Sequence, residues 1–346
     1  MEETLKSKNA RHLLTIVTIL MSAHYSAADL NLTTPEFDWD DYTHLRLHVG
    51  PFDYRMLPAL IWRLLAWLLG PLHRSHPGLN MPMLHQPFLG NRGWFLFLLG
   101  FFFMLATLTV ARGLLQTINP AWQFGWLALS LGYIAYFDTA LVLNRNLYYP
   151  YDVPALFFFT LLVSLAWRDR PLLFTLVLAV ATLNKETACM SILIYFGLHI
   201  GRTALGRLAA LCAGMAATVL AVRLAERALI HHVCSTCTAQ AQHQLSGNIA
   251  QLANPFFWLS ATSVFGYAYV AVILLWRYIP VRLRITASVT YVAWLGGMSV
   301  VGILRELRIF SELSALLLLL VAVGLNEWMR QRETLRPSPA CPVAEA

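Results

Sequence analysis

Four polar clusters interrupt an otherwise apolar sequence, and their residue types suit chemistry on a charged substrate. They are PEFDWDDY at 35–42, NRNLYYPYD at 144–152, NKE at 184–186 and RELR at 305–308. Charged side chains are costly in or near a lipid bilayer, so an apolar chain that keeps them is expected to use them. Carboxylates can serve as general bases, and guanidinium groups bind phosphate through paired hydrogen bonds. The clusters therefore predict a polar site for a charged substrate.

The first cluster supplies the candidate catalytic carboxylates. Asp40 and Asp41 are the strongest candidates for a general base, and Asp38 belongs to the same acidic run. A carboxylate held near the membrane surface can accept a proton from an acceptor hydroxyl group. The alternative is an acidic loop that is simply solvated.

Residues in and around the other clusters are candidates for binding a phosphate or another charged group. They are Arg55, Arg145, Asp152, Lys185, Glu186, Arg305, Glu306 and Arg308. Arginine presents a planar fork that fits a phosphate, and Arg305 and Arg308 would share one face if their segment is helical. Lys185 is the only lysine beyond the N-terminal segment.

Each binding assignment has a structural alternative that the sequence leaves open. Arg55 can be an interfacial arginine that reaches toward the membrane surface, and the tyrosines at 148–151 can form an aromatic belt. Lys185 and Glu186 can neutralise each other. The arginines of the last cluster can pair with glutamates of their own segment.

Composition places the chain among polytopic membrane proteins. Of its 346 residues, 58% are hydrophobic and 12% are charged, which is about half the charge of a soluble domain. The net charge of +7 reflects the basic loops that membrane proteins turn to the cytoplasm. The sequence contains no Walker A loop, GxGxxG sequence or nucleic-acid motif. Membrane lipids are expected partners, and nucleic acid is not.

The expected fold is all-α, with about ten transmembrane helices in one integral-membrane domain over 1–335 and a disordered tail at 336–346. The apolar runs lie near 12–28, 94–115, 121–137, 151–167, 171–184, 187–200, 206–224, 257–276, 285–303 and 309–326. Several are shorter than the roughly 20 residues that cross a bilayer. The first run is an uncleaved span or, alternatively, a signal peptide.

Short basic loops predict the orientation of the chain. They place both termini in the cytoplasm and all four polar clusters on the extracytoplasmic face. The first extracytoplasmic loop then covers about 29–93, and the apolar stretch at 56–70 becomes an interfacial helix on the outer surface. The alternative is that 56–70 spans the membrane and a weaker run does not.

Cys234 and Cys237 are the only cysteines close together in the sequence. A disulfide between them is expected on the extracytoplasmic side, and a metal site with neighbouring histidines is the alternative. The second CxxC pair that would make a zinc site is absent, so no metal ligands are assigned.

The elements PFDYRMLPAL, NLYYPYDVPALFFFTL, ATLNKET and RELRIFSEL resemble those of the GT-C superfamily of integral-membrane glycosyltransferases, in its bacterial GT-C-like branch. The resemblance covers roughly 30–326 and implies a bacterial plasma (inner) membrane enzyme. Such enzymes take a sugar from a polyprenyl-phosphate carrier and transfer it to an acceptor on the extracytoplasmic side. The acceptor, whether glycan, lipid or protein, is left open.

The resemblance also implies roles for individual residues. The base would be Asp40 or Asp41, and the carrier phosphate would be bound by basic residues, for which the candidates are Arg55, Lys185, Arg305 and Arg308. Whether a divalent cation such as Mg²⁺ or Mn²⁺ assists is open, since the acidic loop offers the oxygen ligands that such ions prefer. The chain departs from larger members because it lacks a soluble C-terminal domain and offers several aspartates.

Two other classes of protein fit the same residues. A transporter or flippase of a lipid-linked or anionic substrate would use the charges as a translocation path. A non-catalytic subunit of envelope-polysaccharide assembly would keep the same fold. Charges gathered on one face, without an internal repeat, favour the enzyme.

Overall fold

The computed structural model describes residues 2–32, 34–35, 42–43, 55–68, 91–138, 147–233, 245–302, 304 and 306–334. Most of these residues are helical. Four helices are long and apolar enough to cross a membrane, at Lys8–Leu30, Gly93–Ile118, Leu205–Ile230 and Arg308–Thr334. Three shorter apolar helices cover Asp152–Trp167, Pro171–Asn184 and Val264–Tyr278. The predominantly helical class is therefore confirmed, and the four long apolar helices support a membrane protein, whereas the predicted number of about ten spans is not confirmed.

The described part of the chain contains thirteen α-helices. In the first half they are α1 (Glu2–Leu32), α2 (Leu57–Leu68), α3 (Asn91–Ile118), α4 (Leu129–Tyr136), α5 (Asp152–Trp167), α6 (Pro171–Asn184) and α7 (Ser191–His199). In the second half they are α8 (Leu205–Val233), α9 (Leu245–Leu252), α10 (Pro255–Ala261), α11 (Tyr269–Leu275), α12 (Val281–Val301) and α13 (Ser314–Thr334). Short 3₁₀ segments lie at Trp122–Ala128, Glu186–Met190, Val264–Tyr267, Trp276–Tyr278 and Leu307–Leu313.

Helix α13 lies at the centre of the bundle and α8 at its edge. In the segment Arg308–Thr334, which includes α13, 72% of the most apolar stretch is buried inside the protein. In Leu205–Ile230 of α8, only 11% of the corresponding stretch is buried. Leucines such as Leu316 and Leu319 pack into the main hydrophobic core, which also contains Phe159 and Trp294. Helix α8 therefore has an apolar surface free to face lipid.

Helices α6 and α7 form a short hairpin rather than two full spans. The two helices are 14 and 9 residues long, and at ~1.5 Å per residue α6 covers about 21 Å, less than a ~30 Å hydrocarbon core. Lys185 interrupts them with an extended backbone (φ −160°, ψ 134°). Glu186 of the NKE cluster pairs with Arg223, beyond which α8 continues to Val233, so the cluster is set back from that end of the bundle.

The apolar run at 257–276, predicted as one span, is broken into short helices. Phe265 and Tyr267 adopt positive φ of 59° and 64°, and Gly266 between them has φ of 56°. The Asp138 carboxylate accepts a hydrogen bond of 3.0 Å from the Phe265 backbone N–H. This contact from a distant segment stabilises the break, which hydropathy alone does not reveal.

Helix α2 occupies most of the stretch predicted to be an interfacial helix. Met56 and Ala59 are buried, and the Trp62 ring meets Phe95 of α3 edge-on at 5.0 Å. Several apolar side chains on its other side are exposed, including Trp67 at 77%. An exposed apolar face suits contact with lipid, although its position in a membrane stays a prediction.

Two strands of two residues each pair the segment after α1 with the polar cluster at 144–152. Strand β1 (Thr34–Pro35) pairs in parallel with β2 (Leu147–Tyr148), with Thr34 opposite Leu147. The pairing places the start of the acidic run beside the segment that leads into α5.

The opposite end of α5 and α6 carries a different set of contacts. Arg168 donates to the Gly113 carbonyl of α3 at 2.7 Å, and a His199 ring nitrogen lies 2.9 Å from the Ala166 carbonyl. Arg282 reaches the Ile200 carbonyl at 3.3 Å. Arg168 and Arg282 therefore lie at the end of the bundle away from Lys185.

Candidate functional site

Lys185 is held between two carboxylates. Its ammonium group lies 3.0 Å from Asp152 Oδ1 and 2.8 Å from Glu312 Oε1, and these three side chains are at most 10% exposed. The Thr187 hydroxyl donates a 2.6 Å hydrogen bond to the other oxygen of Glu312. Burial lowers the pKa of Lys185, but the two carboxylates outweigh it and raise the pKa above its usual value. Lys185 is therefore a charged, enclosed group.

Arg308 extends the same network. Its Nη2 lies 2.7 Å from Glu306 Oε2, and its Nε lies 3.7 Å from the second oxygen of Asp152. The guanidinium carbon also sits 3.8 Å from the centroid of the Tyr149 ring. Asp152 thus links Lys185 and Arg308 from the first turn of α5, where a negative charge also complements the helix dipole.

Glu186 is the centre of a second set of ion pairs. It contacts Arg55 through both oxygens, at 2.7 Å and 3.3 Å, and Arg223 of α8 at 3.2 Å. Arg223 also pairs with the buried Glu226. Partial burial raises the pKa of Glu186, but the guanidinium groups of Arg55 and Arg223 lower it to about 2. Glu186 is therefore ionised at neutral pH.

Buried tyrosines connect the two sets of ion pairs. Tyr149 and Tyr151 stack with ring centroids 5.2 Å apart, and Arg55 lies 4.5 Å from the centroid of Tyr151. The Tyr42 hydroxyl donates a 2.6 Å hydrogen bond to the Arg55 carbonyl. Tyr149 and Tyr151 are only 5% and 1% exposed, so they are not part of an exposed aromatic belt. Their ring faces lie against the guanidinium groups of Arg308 and Arg55.

Six of the sequence-predicted site residues meet in this ion-pair cluster. They are Arg55, Asp152, Lys185, Glu186, Glu306 and Arg308. The other candidates, Asp38, Asp40, Asp41, Arg145 and Arg305, lie outside the described residues, as do Cys234, Cys237 and the tail at 336–346.

Two structural alternatives are settled by the contacts. Lys185 and Glu186 do not neutralise each other, because each pairs with residues from other elements. Arg308 does pair with Glu306 of its own segment. The helical segment that carries Arg308 begins at Leu307, and Arg305 lies outside the described residues, so the helix face predicted for both arginines stays a prediction.

The sequence analysis did not assign four charged residues in or near the cluster to the site. Arg223 and Glu226 lie on α8, and Asp29 lies within electrostatic reach of Asp152 and Arg308. The fourth is Glu312, which pairs with Lys185 rather than with an arginine of its own segment. All four stand in or at the end of apolar runs. An ionisable residue inside an apolar run is the signal that would have identified them.

Every basic residue described in the cluster pairs with a carboxylate. Each of Arg55, Lys185, Arg223 and Arg308 contacts at least one carboxylate. Among the described residues, no group of three or more histidine, cysteine, aspartate or glutamate side chains is arranged to hold a metal ion.

An apolar cavity of about 770 Å³ lies alongside α13, and its described lining residues do not include members of the ion-pair cluster. Its walls include Trp258, Phe265, Tyr269, Trp276, Tyr291 and Leu317. The Tyr291 hydroxyl donates a 3.4 Å hydrogen bond to the carbonyl of Leu313, the residue after Glu312. The walls are aromatic and aliphatic, as suits a hydrocarbon chain.

No family model, curated protein or solved structure matches the chain. The fold and the site define a class: a helical protein with apolar helices of membrane-spanning length, an ion-pair cluster at one end of its bundle and an apolar cavity further along α13. Within that class, a particular function follows only from the chemistry of the site.

Proposed function

We propose that the chain is a GT-C-type membrane glycosyltransferase that moves a sugar from a polyprenyl-phosphate carrier to an acceptor on the extracytoplasmic face. The observation that carries the proposal is the convergence of Arg55, Lys185 and Arg308 in one cluster, with an apolar cavity further along α13. A lipid phosphate needs both features, cations for its head group and an apolar wall for its chain.

The chemistry of such a transfer suits these residues. The leaving group is a phosphate, which departs without a strong general acid, and positive charge fixed in a site with little water stabilises it. Arginine and lysine provide this charge, and stacking on Tyr149 and Tyr151 fixes the two guanidinium groups in position.

The acidic run is the proposed source of the base. Its flanks are anchored at the cluster, since Pro35 pairs with Tyr148 and Tyr42 donates to the Arg55 carbonyl. A run with both flanks beside the phosphate-binding cations can deliver a carboxylate to an acceptor hydroxyl group. Asp40 and Asp41 are the first candidates, followed by Asp38.

The proposed orientation places both termini in the cytoplasm of a bacterial inner membrane, with about ten spans between them. Arg168 and Arg202 lie in connections, and Arg282 lies in the first turn of α12, at the end of the bundle opposite the cluster. Basic residues in short loops favour the cytoplasmic side, which supports an extracytoplasmic site.

A transfer assay tests the proposal. Purified protein is incubated with a panel of polyprenyl-phosphate sugars, and release of polyprenyl phosphate is measured for the wild type and for Asp38→Asn, Asp40→Asn and Asp41→Asn. We expect one of these variants to lose at least about 100-fold in rate, as removal of a general base does. Glu327→Gln, on an ion pair far along α13, is the control and keeps the wild-type rate. Equal rates in all four variants would contradict the assignment of the base.

The recessed hairpin of α6 and α7 favours transport as the second candidate. Broken helices that place charges within the membrane thickness are typical of secondary transporters. Movement of an intact lipid-linked sugar across proteoliposomes, without release of polyprenyl phosphate, would favour this class. If the protein shows neither sugar transfer nor transport, the remaining class is a non-catalytic subunit of envelope-polysaccharide assembly.

A further inference from the structure

Two guanidinium groups from distant parts of the chain converge on one carboxylate. Arg55 precedes α2, and Arg223 lies near the end of α8, yet both donate to Glu186. Arg55 engages it through two nitrogens in a fork, and Arg223 adds a third contact at 3.2 Å. Guanidinium groups that surround one anion in this way have the geometry that a phosphate requires.

Glu186 is the most accessible member of the ion pairs described in the cluster. Its side chain is 37% exposed, whereas those of Arg55 and Arg223 are 12% and 21% exposed. The partners of Lys185 are far more enclosed, with Asp152 at 10% and Glu312 at 2%. An incoming ligand therefore meets the Glu186 carboxylate first.

Glu186 lies at a break between helices. The residue begins a 3₁₀ segment of five residues, directly after the extended Lys185. The described partners of its carboxylate are Arg55, Arg223 and its own backbone N–H, and these are the contacts that displacement of the carboxylate would break.

We propose that Arg55 and Arg223 form a binding site for a phosphate or pyrophosphate group, and that Glu186 is its built-in occupant, displaced when the ligand binds. The inference rests on the proposed function and deepens it, because it names the site that first receives the charged head group. A phosphate dianion carries more charge than one carboxylate and can satisfy both guanidinium groups. While the site is empty of ligand, Glu186 keeps these two cations paired in a partly buried position.

Binding of three probes tests the inference: inorganic pyrophosphate, farnesyl phosphate and farnesol. Isothermal titration calorimetry in a neutral detergent measures the Kd for the wild type and for Glu186→Gln. Removing the competing charge while keeping the side-chain shape is expected to tighten binding of the phosphate probes by at least about tenfold. Farnesol, which lacks the phosphate, gains nothing. The probe with the larger gain identifies the source, a lipid head group or a free phosphate.

Two further variants separate competition at this site from a general change in charge. Glu327→Gln removes a carboxylate that pairs with Arg330 along α13. This control is expected to bind the phosphate probes as tightly as the wild type. In the double variant Glu186→Gln with Arg223→Lys, the positive charge stays but the guanidinium group that adds the third contact is lost, and the gain is expected to disappear. Thermal unfolding curves establish that each variant is folded.

Three outcomes would overturn the inference. They are no tighter binding in folded Glu186→Gln, an equal gain in Glu327→Gln, and a gain that survives Arg223→Lys. The proposed function fails separately: tighter phosphate binding without any sugar transfer refutes the glycosyltransferase and leaves the anion site. Sugar transfer with unchanged phosphate binding in Glu186→Gln refutes the anion site alone.

Discussion

At the scale of single residues, the cluster depends on partners that are far apart in the sequence. Lys185 and Glu186 are neighbours, but Arg55 is 131 residues from Glu186, and Thr187 is 125 residues from its partner Glu312. The sequence could identify the charged residues, because they stand out in apolar surroundings. It could not predict the pairs, because pairing depends on how the helices pack.

Lys185 is predicted to be essential for stability. Replacing it by methionine leaves Glu312 without its cation and Asp152 with Arg308 alone, which costs about 3–5 kcal/mol because buried charge is left uncompensated. Denaturant unfolding in detergent micelles measures the change. The control Lys8→Met, at an exposed position on α1, is expected to change stability by less than about 0.5 kcal/mol.

A second variant shows whether the cost arises from the unpaired carboxylate. Lys185→Met combined with Glu312→Gln is expected to recover part of the lost stability, since a neutral amide replaces the orphaned charge. If Lys185→Met is as stable as Lys8→Met, the enclosed ion pairs do not exist in the folded protein.

At the scale of elements, hydropathy located the apolar segments but not their breaks. The predicted runs at 94–115 and 206–224 correspond to the long helices α3 and α8. The runs at 171–184 and 187–200 became a recessed hairpin, and 257–276 became several short pieces. These breaks depend on contacts with other segments, such as Asp138 with the Phe265 N–H, which composition does not encode.

The hairpin is predicted to be sensitive to the size of residue 197. Gly197 of α7 faces Thr286 of α12, and an added Cβ would lie closer to the threonine side chain than van der Waals contact allows. Gly197→Ala is therefore expected to destabilise the protein by about 1–3 kcal/mol. Thermal unfolding in detergent measures the effect.

A matched glycine provides the control for this prediction. Gly214 lies within α8, and an added Cβ there meets no atom within 4 Å. Gly214→Ala is expected to be neutral or to stabilise by up to about 1 kcal/mol through helix propensity. If both variants behave alike, α7 and α12 do not pack as closely as described.

At the scale of the whole molecule, the ion-pair cluster and the connecting arginines occupy opposite ends of the helix bundle. The sequence predicted that the four polar clusters lie on one face, and the described members of three of them meet in the structure, joined by Arg55 of the first loop. Which face points out of the cell follows only from the distribution of basic residues and stays a prediction. The acidic run also stays a prediction at this scale, with only its flanks described.

The central claim is that the cluster binds a lipid phosphate, and thermal unfolding of the purified protein with polyprenyl phosphate tests it most directly. We expect ligand at about 100 times its Kd to stabilise the wild type by about 2.7 kcal/mol and to raise its unfolding temperature. Arg55→Gln should lose this stabilisation, whereas Arg330→Gln, at an exposed position on α13, should keep it. An unchanged unfolding temperature in the wild type, or equal stabilisation of Arg55→Gln, would contradict the claim.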